Sequence, residues 1–236
     1  MDMQEKATDL ESGLIPFHGR VKNKNRESNA RTYARMFQYP IIEGEGSLVK
    51  DAAGFEYIDC LAGAGTLATG HNHPAIKTKL IEHLNSSQLL HGLDISTPIK
   101  SQYIEAIFNS LPSEFANKAK VHFCGPAGTD ATEAAVKLFK TATNRRTVIA
   151  FHGGYHGMTA GALALTGNLS AKEKVPGLMP DVHFLPFPYT HRCPYGSDGS
   201  KTVELSLAHM RNVLSDPERG ITKPAAIIVE AVQGEG

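Results

Sequence analysis

The sequence predicts an α/β fold, a mostly parallel sheet covered by helices on both faces. The first observation behind this is alternation. Strand-length apolar runs at 120–124, 147–151, 182–185 and 225–230 alternate with amphipathic helical patterns at 129–142 and 202–214. The second is placement. Three of these runs lead directly into segments suited to a ligand: Gly128-Thr129, Tyr155-His156 and Glu230. In parallel sheets ligands sit beyond the carboxyl ends of the strands, so three candidate segments fall at one edge.

Taken in order, residues 1 to about 40 are polar and rich in Asn, Arg and Lys, and are expected to form an extended arm. Ser47–Lys50 and Glu56–Cys60 then read as two strands of a hairpin, with Asp51-Ala52-Ala53-Gly54 as the turn. Leu61-Ala62-Gly63-Ala64-Gly65-Thr66 is too rich in small residues for a regular element and reads as a loop. Pro74 opens a helix with Ile76, Leu80, Ile81 and Leu84 at helical spacing. Pro98 opens another, with Ile104, Ile107, Phe108 and Leu111 on one face. In the helix over 129–142, Ala131, Ala135, Leu138 and Phe139 are expected to point inward. We assign 1–60 to an arm-and-hairpin segment contributing to a small domain and 61–236 to a large α/β domain.

Composition excludes several function classes. Lys plus Arg and Asp plus Glu number 24 each, so no global field favours nucleic acid or an anionic membrane. No apolar run approaches the ~20 residues that span a bilayer. The N-terminus lacks a basic region followed by an apolar one, so a secretory signal is not expected. Cys60, Cys124 and Cys193 are widely spaced and odd in number, and read as reduced thiols of a cytoplasmic protein. His71-Asn72-His73 and His152…His156 lack a partner at ligand spacing, so no metal site is expected.

Gly128 and Thr129 lie where a small-residue turn enters a helix. Free backbone N–H groups, the helix dipole and the Thr129 hydroxyl can there hold a phosphate, or Thr129 can simply cap the helix. The loop is neither a Walker loop nor a Rossmann glycine fingerprint. Tyr155 and His156 sit in a glycine-bracketed loop, where an aromatic face can stack on a planar cofactor or close the edge of the core. Glu230 ends an apolar strand, either as a used carboxylate or as a solvated strand end, with Gln233 and Glu235 following at turn spacing.

Together these segments resemble the class III pyridoxal-phosphate-dependent aminotransferases of fold type I. The resemblance runs from Gly46-Ser-Leu-Val-Lys-Asp51-Ala-Ala-Gly54-Phe-Glu-Tyr57-Ile-Asp59 through Gly70-His71-Asn72-His73-Pro74, the turn before Gly128, and Tyr155-His156-Gly157-Met158-Thr159. It ends with Val229-Glu230-Ala231-Val232-Gln233-Gly234-Glu235-Gly236, and covers about residues 33–236. Blocks such as Asp59–Leu67, Thr166–Lys172 and Arg192-Cys193-Pro194 look like the subgroup that moves the 4-amino group of L-2,4-diaminobutyrate to 2-oxoglutarate. Ornithine, acetylornithine and 4-aminobutyrate types are the alternatives within the family, and a non-catalytic fragment is another.

The resemblance implies pyridoxal 5'-phosphate as cofactor, amino acid and 2-oxo acid substrates, and a homodimer. Carried over, Gly128 and Thr129 would hold the cofactor phosphate, Tyr155 would stack on its ring beside His156, and Glu230 would sit in the hydrogen-bond network near the ring. Glu235 looks like the family's carboxylate at the substrate gate. Ala127 departs from the pattern, because relatives usually carry Ser or Thr there. The family's aspartate for the pyridinium nitrogen and its cofactor-bearing lysine are expected beyond Gly236. The 236 residues are therefore expected to be an N-terminal fragment, with a truncated large domain and no catalytic residue assigned.

Overall fold

The computed structural model describes residues 37–236. The expected N-terminal arm thus lies almost entirely outside the described residues. The chain divides into two units that meet in sequence at Leu111 and Pro112.

In the first unit the expected hairpin forms, with β2 (Leu48–Asp51) antiparallel to β3 (Glu56–Ile58) and Leu48 opposite Ile58. An unforeseen strand, β1 (Ile41–Glu45), pairs with the other edge of β2. Gly44 lies within this ladder opposite Val49, and the register shifts between Ile41 and Glu43.

Asp51 closes the hairpin turn and is only 2% exposed. One carboxylate oxygen accepts the amides of Ala53 and Phe55 at 2.9 and 3.0 Å, and the other accepts the Tyr57 hydroxyl at 2.9 Å. Burial pushes its pKa up, but the bonds from Tyr57 and the turn amides outweigh burial and hold it below the ordinary carboxylate value.

The Gly70–Pro74 block ties this sheet to the first helix. Gly46 and His71 exchange both backbone hydrogen bonds, at 3.0 and 2.8 Å. A side chain on Gly70 (φ +80°) would meet the Gly46 carbonyl oxygen at 2.7 Å. His71 Nε2 lies 2.7 Å from Asp59 Oδ2, and Asn72 donates to the Gly44 carbonyl at 2.7 Å.

Helices α1 (Pro74–Leu84) and α2 (Pro98–Ser110) start at the expected prolines, whose missing N–H costs nothing in a first turn. Thr97 caps α2 by accepting the Lys100 amide at 3.3 Å. Ile104, Ile107 and Phe108 are half-buried as expected, whereas Ile76, Leu80, Ile81 and Leu84 of α1 stay exposed among the described residues.

The second unit contains, in order, α3 (Ser113–Ala116), α4 (Gly128–Thr143), β4 (Val148–Phe151), α5 (Ala160–Leu165) and α6 (Leu169–Lys172). It continues with β5 (Val182–Leu185), α7 (Thr202–Ser215) and β6 (Ala226–Ile227). The sheet is parallel, in the order β5-β4-β6, with Val148 opposite both Val182 and Ala226.

Alternate residues of β4 serve two cores. Val148 and Ala150 pack with Val136 of α4 and Leu165 of α5. Ile149 and Phe151 pack with Leu185 and with Val213 of α7. A central strand buried on both faces is the α/β arrangement that the alternation implies.

Three expectations need correction. Residues 120–124 form no strand, because no ladder among the described residues pairs with them and an apolar run alone satisfies no backbone group. The strand expected over 225–230 is paired only at Ala226–Ile227, since its last ladder bond runs from the Ile228 amide to the Ile149 carbonyl. In α4 the buried residue is Val136, while Ala131, Leu138 and Phe139 are exposed. Val136 packs against Val148 and Ala150 of β4 and Leu165 of α5, which sets the rotation of α4 and leaves Leu138 and Phe139 about half exposed.

Two outcomes test this frame. Ile149→Ala, at a fully buried position, should cost about 2–5 kcal/mol in urea unfolding. The folded pKa of Asp51 is depressed, so its contribution is complete above the unfolded value of about 3.9 and is lost as pH falls through the lower folded value. Asp51→Asn should therefore flatten the loss of melting temperature below pH 4 that the parent chain shows.

Candidate functional site

The site is assembled at the carboxyl end of β4 and the amino end of α4. Ala127 precedes α4 in extended conformation (φ −90°, ψ 148°) and offers no side-chain acceptor. Asp130 reaches back instead, and its Oδ2 accepts the Ala127 amide at 3.1 Å. Gly125 makes this possible, since a side chain there would overlap the Asp130 carboxylate. The amides of Gly128 and Thr129 have no acceptor among the described residues, and the space beside the Gly128 Cα is open. A 16-residue helix thus presents two free N–H groups and its positive dipole end at one open spot.

The hydroxyl of Thr129 is already engaged. It lies 2.7 Å from Thr159 Oγ1, and Thr159 donates to Glu133 Oε1 at 2.5 Å. The same carboxylate oxygen accepts the amides of Gly161 and Ala162 at 2.9 and 3.0 Å, which caps α5. Burial acts to raise the Glu133 pKa. The bonds from Thr159, Ala162 and Gly161, with Lys137 nearby, overcome it and keep the carboxyl below its ordinary value. Gly157, at φ +123°, permits the approach, because a Cβ there would overlap Thr129 Oγ1.

Residues 152–157 leave β4 and are pinned from three sides. The Tyr155 amide donates to Glu230 Oε2 at 3.0 Å, the His156 amide donates to Thr166 Oγ1 at 3.0 Å, and Thr132 of α4 donates to the His156 carbonyl at 3.0 Å. Thr166 is fully buried and directs its own proton toward the carbonyls of Gly157 and Ala162. Gln233 donates to the His152 carbonyl at 2.8 Å, and Glu230 Oε1 accepts the Gly234 amide at 3.4 Å. The backbone of Tyr155 is held while its ring remains 41% exposed. His156 Nε2 is buried with no partner among the described residues. Burial pushes the imidazole pKa down against the opposing pull of Glu230, so the ring is neutral at pH 7.

Gly128, Thr129, Tyr155, His156 and Glu230 therefore converge, although all five come from loops or a helix end separated by up to about a hundred residues. Glu235 is exposed and makes no hydrogen bond or ion pair among the described residues. Sequence reasoning missed Glu133, Thr159 and Thr166 as parts of the site. Thr166 stood in a block noted only for its likeness, and Glu133 is a carboxylate on the sheltered side of a helix. No cluster of His, Cys, Asp and Glu suited to a metal occurs among the described residues. No helix among them is long and apolar enough to cross a membrane.

Gly157→Ala tests the packing of the loop on α4. Its positive φ alone costs a residue with a Cβ about 1–3 kcal/mol, and the overlap with Thr129 adds to that. The variant should melt earlier than the parent and lose the Thr129–Thr159 contact, visible as exchange broadening or a shift of the Thr129 amide resonance.

Residues 29–236 match the family model of class-III aminotransferases. A Rhizobium meliloti (strain 1021) protein named diaminobutyrate--2-oxoglutarate aminotransferase is 49% identical over 215 residues, which is 91% of this chain and 46% of that protein. A Haemophilus influenzae protein of the same name is 48% identical over 210 residues, 89% of this chain and 46% of its own length. The chain spans about half the length of the curated relatives it matches. Among solved structures, the taurine:2-oxoglutarate aminotransferase of Bifidobacterium kashiwanohense, in complex with PLP and glutamate, aligns with a TM-score of 0.73 at 21% identity. That alignment covers 86% of this chain and 46% of that one. An (S)-enantioselective omega-transaminase from Thermomicrobium roseum aligns at 0.68 and 22% identity, over 99% of this chain and 50% of that one. The α/β fold expected from the sequence is the fold these transaminases carry, and the chain belongs to the class-III aminotransferase family.

Proposed function

We propose that this sequence forms the phosphate-and-ring side of a pyridoxal 5'-phosphate site in an aminotransferase. The intact enzyme moves the 4-amino group of L-2,4-diaminobutyrate to 2-oxoglutarate, giving L-aspartate 4-semialdehyde and L-glutamate. The observation that carries this reading is the convergence at one sheet end of two helix-start amides free among the described residues, an open tyrosine ring, a neutral imidazole with a buried Nε2, and a carboxylate. The names of relatives at 49% and 48% identity support diaminobutyrate and 2-oxoglutarate as the substrates.

The residues suit a phosphorylated heteroaromatic group. The amides of Gly128 and Thr129 have no acceptor among the described residues, and a phosphate oxygen supplies one. The exposed ring of Tyr155, on a backbone held by Glu230, offers a flat face for stacking. His156 Nε2 wants a polar partner and stays neutral, so it adds no charge beside the ring. Glu230 uses both oxygens to hold Tyr155 and Gly234, which fixes the wall of the site. When bound, the cofactor supplies an electron sink, and the protein orients it and tunes its surroundings. Glu235 is assigned to the substrate entrance, residues 61–236 to the cofactor domain and 1–60 to the arm and small domain. The working unit is a homodimer.

Donor profiling of the full-length protein tests the reading. Glutamate should form from 2-oxoglutarate with diaminobutyrate as donor, at a kcat/KM above those for ornithine, acetylornithine and 4-aminobutyrate. Turnover with ornithine but not diaminobutyrate would overturn the substrate assignment, and no turnover with any donor would overturn the reaction.

A further inference from the structure

We infer that Glu133 is the positioning residue of the phosphate seat, an inference that rests on the function proposed above. Glu133 lies one helical turn beyond Thr129, and one of its oxygens gathers three donors: the Thr159 hydroxyl and the amides of Gly161 and Ala162. Its depressed pKa keeps it ionised at neutral pH, so it can only accept. The single proton of Thr159 therefore goes to Glu133, and Thr159 Oγ1 must accept from Thr129. The order of donors runs from Thr129 through Thr159 to Glu133.

This order has two consequences for an anion at the start of α4. The Thr129 hydroxyl proton is directed away from the seat, so the backbone amides of Gly128 and Thr129 are the donors that face it. The Thr129 side chain is also locked in one orientation, which fixes the first turn against residues 157–162. Two glycines stand where the relay needs space. A Cβ on Gly157 would overlap Thr129 Oγ1, and one on Gly161 would overlap the Glu133 carboxylate. Glu133 thus acts on the bound phosphate without touching it, by holding the donors in place before the anion arrives.

The test measures binding by the full-length apoprotein of 4-deoxypyridoxine 5'-phosphate and of 4-deoxypyridoxine, neither of which can form an imine with lysine. The ratio of the two dissociation constants reports the phosphate seat alone. Glu133→Ala and Thr159→Val should each weaken the phosphorylated ligand about tenfold, the scale seen for outer partners of bound ions, and leave the other ligand unchanged. Glu133→Gln keeps an acceptor at the same place and should stay within about threefold of the parent. Unchanged binding in both Glu133→Ala and Thr159→Val would overturn the inference, as would equal weakening of both ligands, which marks a merely structural role. If Glu133→Ala does not fold, Thr159→Val decides, because it leaves the two amide bonds to Glu133 in place. A parent protein that binds both ligands equally would overturn the phosphate seat itself, a failure of the proposed function seen before any variant is made.

Discussion

The strand Val148–Phe151 has a partner on each edge and a hydrophobic cluster on each face. All four of its residues are buried, and the chain turns where the ladder with β5 ends. Because all three strands run the same way, β4 and β6 release their chains toward the same edge. Residues 152–157 and 228–236 are thereby delivered side by side, and Glu230 meets the Tyr155 amide across 75 positions of sequence. The site depends on that shared exit more than on any residue within it.

The polar contacts around the exit give two carboxylates, Glu133 and Glu230, more than one donor each. Glu133 gathers three on one oxygen, Glu230 holds Tyr155 and Gly234, and Asp130 returns to cap its own helix. A partly buried carboxylate is costly without such partners, and with them it locks several backbone segments at once. Thr166 does the same without charge, accepting one amide and sharing its single proton between two carbonyls while fully buried. These bonds leave Gly128, Thr129 and the Tyr155 ring as the unspent groups, which is what a site for a phosphorylated aromatic molecule requires.

Much of the frame was legible in local chemistry. Pro74 and Pro98 marked helix starts, because a residue without an N–H is tolerated best in a first turn. The hairpin around Asp51 followed from its turn residues, and β4 from a run of apolar residues. The failures were of a single kind. Residues 120–124 look like a strand but lack a ladder, β1 has a ladder that its own residues do not announce, and the rotation of α4 places Val136 inward in place of Ala131, Leu138 and Phe139. Each of these is decided by a partner distant in sequence, which apolar periodicity does not encode.

The amino-acid sequence by itself determined the α/β class, the family and the short segments from which the candidate site is made. Those properties reside in local patterns: glycine turns, helix starts, apolar runs and ordered blocks. Only the tertiary structure decided which donors remain free. Whether the Gly128 amide is unpaired, whether the Thr129 proton points toward the seat or toward Thr159, and whether Glu133 takes part at all depend on contacts some thirty residues apart. Hydrogen bonds are short and directional, so their assignment waits until packing has brought the groups within about 3 Å of one another.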